Sequence, residues 1–155
     1  MRQILILFIA FLFIGCSNDI EDLEKFKLLP SVQELEFKDT FSNLNFENIK
    51  FAYSVNNTEL PIRYDFTNHI ENNSQSESTI DYHIDSSLDL NQEGYKLDIL
   101  KNKISIIAKD EAGLFYAFTT LDQLIEDSKD QNINLPMLSI KDYPLIKFRP
   151  IHIDV

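Results

Sequence analysis

The second half of the chain changes its hydrophobic period twice, and this limits the available folds more than any other feature. In residues 95–108 apolar and polar positions alternate in two short runs joined by Lys101 and Asn102. Such alternation is typical of half-buried strands, and the short connection predicts an antiparallel hairpin. The next stretch, "DEAGLFYAFTTLDQLIED", repeats its apolar positions every three or four residues, which predicts an amphipathic helix. Extended spacing then returns and ends at Pro144.

The start of the predicted helix carries the usual N-terminal signals. Asp110 is a candidate N-cap, and Glu111 suits the positive end of the helix dipole. Gly113 has no side chain, so we expect the first turn to lie close against a sheet. The predicted apolar face consists of Leu114, Phe118, Leu121 and Ile125. The pair Asp110-Glu111 is therefore interpreted as a cap rather than as two catalytic acids.

The first half of the chain gives weaker signals. The positions Val32, Leu35 and Phe37 favour one strand, and Ile49–Tyr53 favours another. Residues 71–79 are polar and are predicted to form a loop. A further strand is indicated by Ile80, Tyr82 and Ile84 on one face. The resulting prediction is an α+β fold, in which a mainly antiparallel sheet is backed by a helix on one face.

Composition and motifs exclude several classes of function. The chain has 155 residues and a formal net charge of -11, which argues against a nucleic-acid partner and against a polybasic contact with anionic lipid. None of the histidines, His69, His83 and His152, stands in a metal-ligand motif, and His83 is expected to face solvent from a strand. The chain has one cysteine and lacks phosphate-binding glycine loops and GxSxG, so no metal and no cofactor is predicted.

The N-terminal residues have the pattern of a targeting segment. Arg2 precedes an apolar run over residues 4–14, which is too short to span a bilayer but suits the core of a signal peptide. Gly15-Cys16 at its end resembles the lipobox of bacterial lipoproteins, although Phe13 stands where that motif usually has Leu. The resemblance implies cleavage before Cys16 and lipidation of its sulfur. An ordinary signal peptide or a buried cysteine is the alternative.

The residues after Cys16 are acidic and are interpreted as a solvated tether. Similar acidic tracts follow the lipidated cysteine in lipoproteins exported to the surface of some Gram-negative bacteria. The resemblance therefore implies a protein of the cell envelope, held in a membrane by its lipid, with the outer membrane or the cell surface as the expected location.

From residue 28 onward, and most strongly from residue 93, the chain resembles bacterial β-N-acetylhexosaminidases, the family-20 glycoside hydrolases. The resemblance lies in blocks that occur in the family's order. Residues 93–97 are similar to its "EAYTL" strand, 112–116 to "aGlfYG", 120–124 to "TLxQL", 140–144 to "I.DyPrf" and 148–155 to "yRGlmlDvsRh". Near the front, Leu29-Pro30 and Phe41 suit the family's opening "lPxPxxv…F".

This resemblance implies a domain organisation. Residues 1–15 are expected to be a lipoprotein signal peptide, and 16–27 the acidic tether. Residues 28–144 would form the family's non-catalytic N-terminal α+β domain. Residues 145–155 would begin a (β/α)8 catalytic barrel, with 148–155 as its first strand. The chain is therefore expected to stop where the barrel starts.

The family cleaves terminal β-linked N-acetylhexosamines with retention, and the substrate's own acetamido oxygen is the nucleophile. The resemblance implies an Asp-Glu pair in the barrel, and we find no counterpart of that pair here. Arg149 matches an arginine that binds sugar hydroxyls, and Asp154 matches an aspartate near the sugar-binding end of the strand. Pro150 replaces a glycine of the family, and a proline there removes a backbone amide donor next to Arg149.

Three readings of the whole chain stay open. The first is the non-catalytic front of a lipid-anchored exo-β-N-acetylhexosaminidase, with its own barrel and an N-acetylhexosamine oligosaccharide as partners. The second is a stand-alone lipoprotein without a barrel, which would serve in binding or as a scaffold. The third is another barrel glycosidase with a similar front domain, such as an α-glucuronidase or an O-GlcNAc-type hydrolase. The run from Asp142 to Asp154 favours family 20 over this third reading.

Overall fold

Six strands and one long helix make up the regular structure of the part of the chain that the computed structural model describes, which is residues 23, 25–44, 46, 49–53 and 74–146. The strands are β1 (Glu34–Phe41), β2 (Ile49–Tyr53), β3 (Ser78–Ile84), β4 (Tyr95–Ile99), β5 (Lys103–Ala108) and β6 (Pro136–Asp142), and the helix is α1 (Glu111–Gln131). The predicted α+β class is confirmed.

The strands form one mixed sheet in the order β1-β6-β4-β5-β3-β2. The β1–β6, β6–β4 and β4–β5 pairings are antiparallel, whereas β5–β3 and β3–β2 are parallel. The predicted hairpin is the β4–β5 pair, whose turn is closed by the Leu100 amide donating to the Lys103 carbonyl at 2.8 Å. The antiparallel pairings therefore lie on one side of β5 and the parallel ones on the other.

Two predicted boundaries shift. The polar stretch 71–79 was expected to be a loop throughout, but β3 already begins at Ser78, where the side chain is buried. The strand signal at Val32 also starts too early, because β1 begins at Glu34. Both differences arise because pairing with a neighbouring strand, rather than local hydrophobicity, determines where a strand begins.

The helix begins as its sequence predicts, and it continues to Gln131, four residues past the predicted stretch. The Asp110 side chain accepts a hydrogen bond from the Gly113 amide, which satisfies one of the free donors of the first turn. Glu111 lies in that turn and Lys129 in the last one, so both charges suit the dipole. Asn132 ends the helix in the left-handed conformation, at φ 54°.

One face of the sheet packs against α1, and the core lies between them. The inward positions of β4 are Tyr95, Leu97 and Ile99, and all three are buried. They meet the helical positions that the sequence assigned to the apolar face, and these are also buried. The rings of Tyr82 and Phe118 pack edge to face with their centroids 5.3 Å apart. This arrangement fixes α1 on the sheet and leaves its outer surface available for other contacts.

Candidate functional site

The Asp110 carboxylate joins the start of α1 to the turn before β4. One of its oxygens accepts from the Gly113 amide at 2.9 Å, and the other accepts from the Glu93 amide at 2.8 Å. Glu93 has a positive φ of 65°, a conformation that costs energy for a residue with a side chain. Asp110 therefore caps a helix and stabilises a strained turn, and both of its oxygens are engaged in structure.

Two glycines allow this junction to close. A Cβ atom on Gly113 would lie 2.5 Å from the carbonyl oxygen of Gly94, closer than real side-chain atoms approach. A Cβ on Gly94 would itself lie 2.9 Å from the carbonyl oxygen of Asn91. The expected close approach of the first helical turn to the sheet is confirmed, since it rests on the backbone at the start of β4.

A buried hydrogen bond from Tyr95, the residue after Gly94, links β4 to α1. The Tyr95 hydroxyl and the Thr120 hydroxyl are 2.6 Å apart, and both residues are buried. Burial raises the pKa of the Tyr95 hydroxyl, the Thr120 hydrogen bond opposes part of the rise, and the charge of Asp142 adds to it. The hydroxyl therefore stays neutral as part of the interface between sheet and helix.

Residues 26–33, which we call the strap, cross the outer surface of α1. The Lys27 amide donates to Asp127 at 3.2 Å. The Leu29 amide donates to the Gln123 side chain and the Leu29 carbonyl accepts from it, each at 3.1 Å. At the far end, the Gln33 amide donates to Asp142 at 3.1 Å. Because Asp127 and Gln123 lie one helical turn apart, the strap follows the helix axis.

The strap, the first half of α1 and the end of β6 enclose a cleft, which we call the strap cleft. Its volume is about 490 Å³. The lining combines aromatic rings with carboxylate, amide and hydroxyl groups, and it includes Phe115, Tyr116, Tyr143, Glu93, Asp142, Gln33 and Gln123. A volume of this size falls in the range of small-molecule and docking sites. Gln123 and Asp142 of this lining hydrogen-bond to the strap, and Gln33 belongs to the strap itself.

The sheet face away from α1 carries a smaller and more polar groove of about 220 Å³. Ser139 donates to Asp98 at 2.6 Å, and Lys141 donates to Glu34 at 2.8 Å. The hydrogen bond to Glu34 raises the pKa of Lys141. His83 lies on this face at intermediate exposure, so its predicted outward orientation is confirmed. The Ser139–Asp98 and Lys141–Glu34 pairs each join neighbouring strands on this solvated face.

The site residues predicted from the resemblance, Arg149 and Asp154, lie outside the described residues, as does Cys16. The signal peptide and the acidic tether up to residue 22 lie outside them as well. Within the described ranges, no group of three His, Cys, Asp or Glu side chains could hold a metal ion. The same ranges contain no helix that is both long and apolar enough to span a membrane.

The strap cleft was missed in the sequence. Its contacts join residues about a hundred positions apart, such as Gln33 with Asp142, and no local pattern marks them. The nearest signal was the pair Leu29-Pro30, which the sequence offered only as part of a family motif. A cleft that is formed by hydrogen bonds between side chains and the backbone of a distant segment has no periodicity to detect.

Most of the chain matches the model of a known protein family. Residues 25–143 match the family model described as glycosyl hydrolase family 20, domain 2. The chain therefore belongs to this family, through its second domain.

A curated relative and two solved structures are similar to the chain. The chain is 38% identical over 78 residues to a β-hexosaminidase of Porphyromonas gingivalis, and the match covers 46% of this chain and 10% of that relative. A β-N-acetylhexosaminidase structure from Bacteroides fragilis has a TM-score of 0.57 at 20% identity, over 78% of this chain and 25% of that one. An exo-β-N-acetylglucosaminidase from Vibrio harveyi, solved with N-acetylglucosamine, has a TM-score of 0.56 at 20% identity, over 81% and 20%. The two structures support the fold, and the curated relative is about ten times longer than the matched segment.

Proposed function

We propose that this chain is the non-catalytic front part of a lipid-anchored exo-β-N-acetylhexosaminidase, and that the longer protein removes terminal β-linked N-acetylhexosamine with retention. The observation that carries the proposal is the match of residues 25–143 to the second domain of family 20. The names of the similar proteins support a hexosamine-containing oligosaccharide as the substrate class.

The chemistry of the described residues supports a non-catalytic role for this part. Asp110 and Glu111 are adjacent acids at the start of α1, but both oxygens of Asp110 accept hydrogen bonds from backbone amides. These two hydrogen bonds hold the Asp110 side chain in the junction between α1 and the turn before β4. Catalysis is therefore assigned to the barrel, where Arg149 and Asp154 would contribute to sugar binding at its first strand.

Hydrolysis of a chromogenic β-N-acetylglucosaminide tests this proposal. The purified 155-residue chain should release no chromophore, and the protein encoded by the reading frame that continues past Val155 should release it. Release by the 155-residue chain would overturn the non-catalytic role. An inactive longer protein would overturn the hexosaminidase assignment, and a stop codon directly after Val155 would favour the stand-alone lipoprotein.

The membrane anchor is part of the same proposal and has its own test. Lipidation of Cys16 would place the domain at the cell envelope, at the outer membrane or the cell surface of a Gram-negative bacterium. Labelled fatty acid should enter the wild-type protein and should not enter Cys16→Ser. Equal labelling of both proteins, or failure of the wild type to partition with membranes, would contradict the anchor while leaving the glycosidase assignment intact.

A further inference from the structure

The described chain enters the domain at one end and leaves it at the other. Phe26 is buried in the core, and the amide of the next residue, Lys27, donates to Asp127 near the C-terminal end of α1. The chain leaves β6 at Asp142, beside the start of β4 and hence beside the start of α1, and is described as far as Ile146. Entry and exit are therefore separated by most of the length of α1, which at 21 residues is about 30 Å.

The end of the domain where the chain enters, which we call the entry end, consists of the C-terminal end of α1 and the loops beside it. The Asn43 amide donates to the Lys101 carbonyl at 2.6 Å, and the Thr79 amide donates to the Asn102 carbonyl at 3.1 Å. These bonds join the loop after β1, the β4–β5 turn and the start of β3 in one surface. Its exposed charged residues include Lys27, Lys50, Lys101, Lys129, Glu77, Glu126 and Asp130. Positive and negative charges are therefore nearly balanced at the entry end.

The opposite end, which we call the exit end, carries an excess of carboxylates. It consists of the starts of β1, β4 and α1, the turn after β3 and the end of β6. Its acids include Asp85, Asp89, Glu93, Asp110, Glu111 and Asp142. The nearby Lys141 is already paired with Glu34 at 2.8 Å, and Lys109 donates to the Leu88 carbonyl at 2.6 Å. The domain is therefore electrically asymmetric along the axis of α1.

We propose that the lipid-anchored protein stands end-on at the membrane, with the entry end facing anionic lipid headgroups and the exit end pointing away from them. The inference rests on the proposed anchor at Cys16 and adds the orientation of the domain. Only residues 17–22 separate Cys16 from Leu23, which is buried and whose carbonyl accepts from the Phe26 amide. A fully extended chain between Cys16 and Leu23 reaches about 25 Å at most, so the anchor keeps the entry end close to the lipid.

The charge asymmetry favours this orientation over one in which the domain is inverted or lies on its side. Anionic headgroups repel carboxylates that come within a Debye length, which is about 8 Å at physiological ionic strength. An inverted domain would bring its carboxylate excess into this layer, whereas the entry end brings nearly balanced charges. The net charge of -11 opposes attachment of the free domain to such a surface. The anchor therefore supplies the attachment, and the asymmetry supplies the direction.

This orientation makes the domain a spacer. Polypeptide that continues from Ile146 begins about 30 Å farther from the lipid than the entry end does, because the length of α1 lies between them. The part of the longer protein that follows is thereby held clear of the bilayer surface.

Energy transfer from single dyes to the membrane surface tests the orientation. The lipidated chain is bound to vesicles of phosphatidylcholine and phosphatidylglycerol that carry an acceptor dye on a lipid headgroup. Donor dyes are attached at Asn102→Cys, in the β4–β5 turn, or at Ser86→Cys, after β3, and both positions are exposed. Transfer falls steeply with distance, so it should be several-fold more efficient from position 102 than from position 86. Equal efficiencies, or a higher one from position 86, would overturn the proposal.

Salt and charge variants isolate the electrostatic contribution. The difference between the two dye positions should narrow in high salt, which shortens the Debye length, and in Lys101→Glu, which makes the entry end more acidic. Lys96→Glu is the matched control, since it makes the same charge change on β4 away from the entry end, and it should preserve the difference. A difference that stays the same in high salt and in Lys101→Glu would refute the electrostatic orientation.

Incorporation of labelled fatty acid, measured on the same samples, separates this inference from the proposed function. Protein that takes up fatty acid and binds vesicles, yet shows equal transfer from both positions, would overturn the orientation alone. Protein that takes up no fatty acid and does not bind would overturn the anchor and the orientation together. The glycosidase assignment is measured independently by hydrolysis.

Discussion

The carbonyl oxygen of Gly94 occupies the space that a side chain on Gly113 would need, 2.5 Å from the ideal Cβ position. Gly94 precedes β4, and Gly113 lies in the first turn of α1. The contact therefore determines how closely the helix approaches the sheet. Because the neighbouring atom belongs to the backbone, it cannot rotate away as a side chain would.

Gly113→Ala tests this contact. Alanine favours the helix by about 1 kcal/mol, but overpacking against backbone typically costs about 1–3 kcal/mol and should here displace the helix start as well. We expect a net loss of about 1–2 kcal/mol in the free energy of unfolding, measured by urea denaturation of the 155-residue chain. Ala112→Ser, at the exposed neighbouring position, should change it by less than about 0.5 kcal/mol. A higher free energy of unfolding for Gly113→Ala would show that the backbone at Gly94 can move to accommodate a methyl group.

The two hydrogen bonds of Asp110 can be separated by a graded pair of substitutions. Asp110→Ala removes the cap of α1 and the acceptor for Glu93, and it should cost about 2 kcal/mol of unfolding free energy. Asp110→Asn keeps one acceptor oxygen and should cost about half as much. Glu111→Gln, in the same turn, should lose only a few tenths of a kcal/mol through the helix dipole. Equal effects of Asn and Ala would mean that only one of the two bonds contributes.

Stability at high pH depends on Tyr95. Burial raises the pKa of this hydroxyl in the folded state, whereas an unfolded tyrosine ionises near about pH 10. The folded state holds the proton more tightly, so the contribution is full below about pH 10 and is lost as the pH rises further. Urea denaturation between pH 8 and pH 11 should show a steeper decline for the wild type than for Tyr95→Phe.

At neutral pH, Tyr95→Phe should lower the free energy of unfolding, whereas it should make that free energy less sensitive to high pH. Tyr95→Phe leaves the buried Thr120 hydroxyl without its partner, which should cost about 1–2 kcal/mol. The double variant Tyr95→Phe/Thr120→Val removes both polar groups and should cost less than the sum of the single changes. Parallel pH curves for wild type and Tyr95→Phe would refute the role of the buried hydroxyl in the alkaline decline.

The strap depends on Gln123. Replacing it by Ala removes both hydrogen bonds to the Leu29 backbone, so amide exchange at Leu29 and protease cleavage within residues 26–33 should accelerate several-fold. The core should be little affected, so the free energy of unfolding should fall by about 1 kcal/mol at most. Gln131→Ala, an exposed glutamine at the end of the same helix, is the matched control and should leave both rates unchanged. Unchanged exchange at Leu29 in Gln123→Ala would show that other contacts hold the strap.

The sequence predicted the elements whose signals are local. The β4–β5 hairpin, the helix with its Asp110 cap and the β6 strand are encoded by alternation, helical period and capping residues within short windows. The family blocks from residue 93 onward also point to the family to which the chain is now assigned.

Long-range relationships could not be predicted in the same way. The parallel pairing of β3 with β2 and β5 joins strands whose side-chain patterns are compatible with either direction. The strap cleft depends on Gln123 and Asp142 meeting the backbone of residues far away in the chain. Such contacts follow from the assembled sheet, and neither hydrophobic period nor propensity encodes them.

The pairing of β1 with β6 has a mechanical consequence. Glu34 faces Lys141 at one end of this antiparallel ladder, so the chain enters and leaves the pair on the same side. A pulling force applied between residues 33 and 143 would load the backbone hydrogen bonds one after another, as in a zipper, rather than all together in shear. Tension on the protein would therefore peel off the edge strand β1 at low force, while the β4–β5 hairpin and the helix that packs on it would still resist.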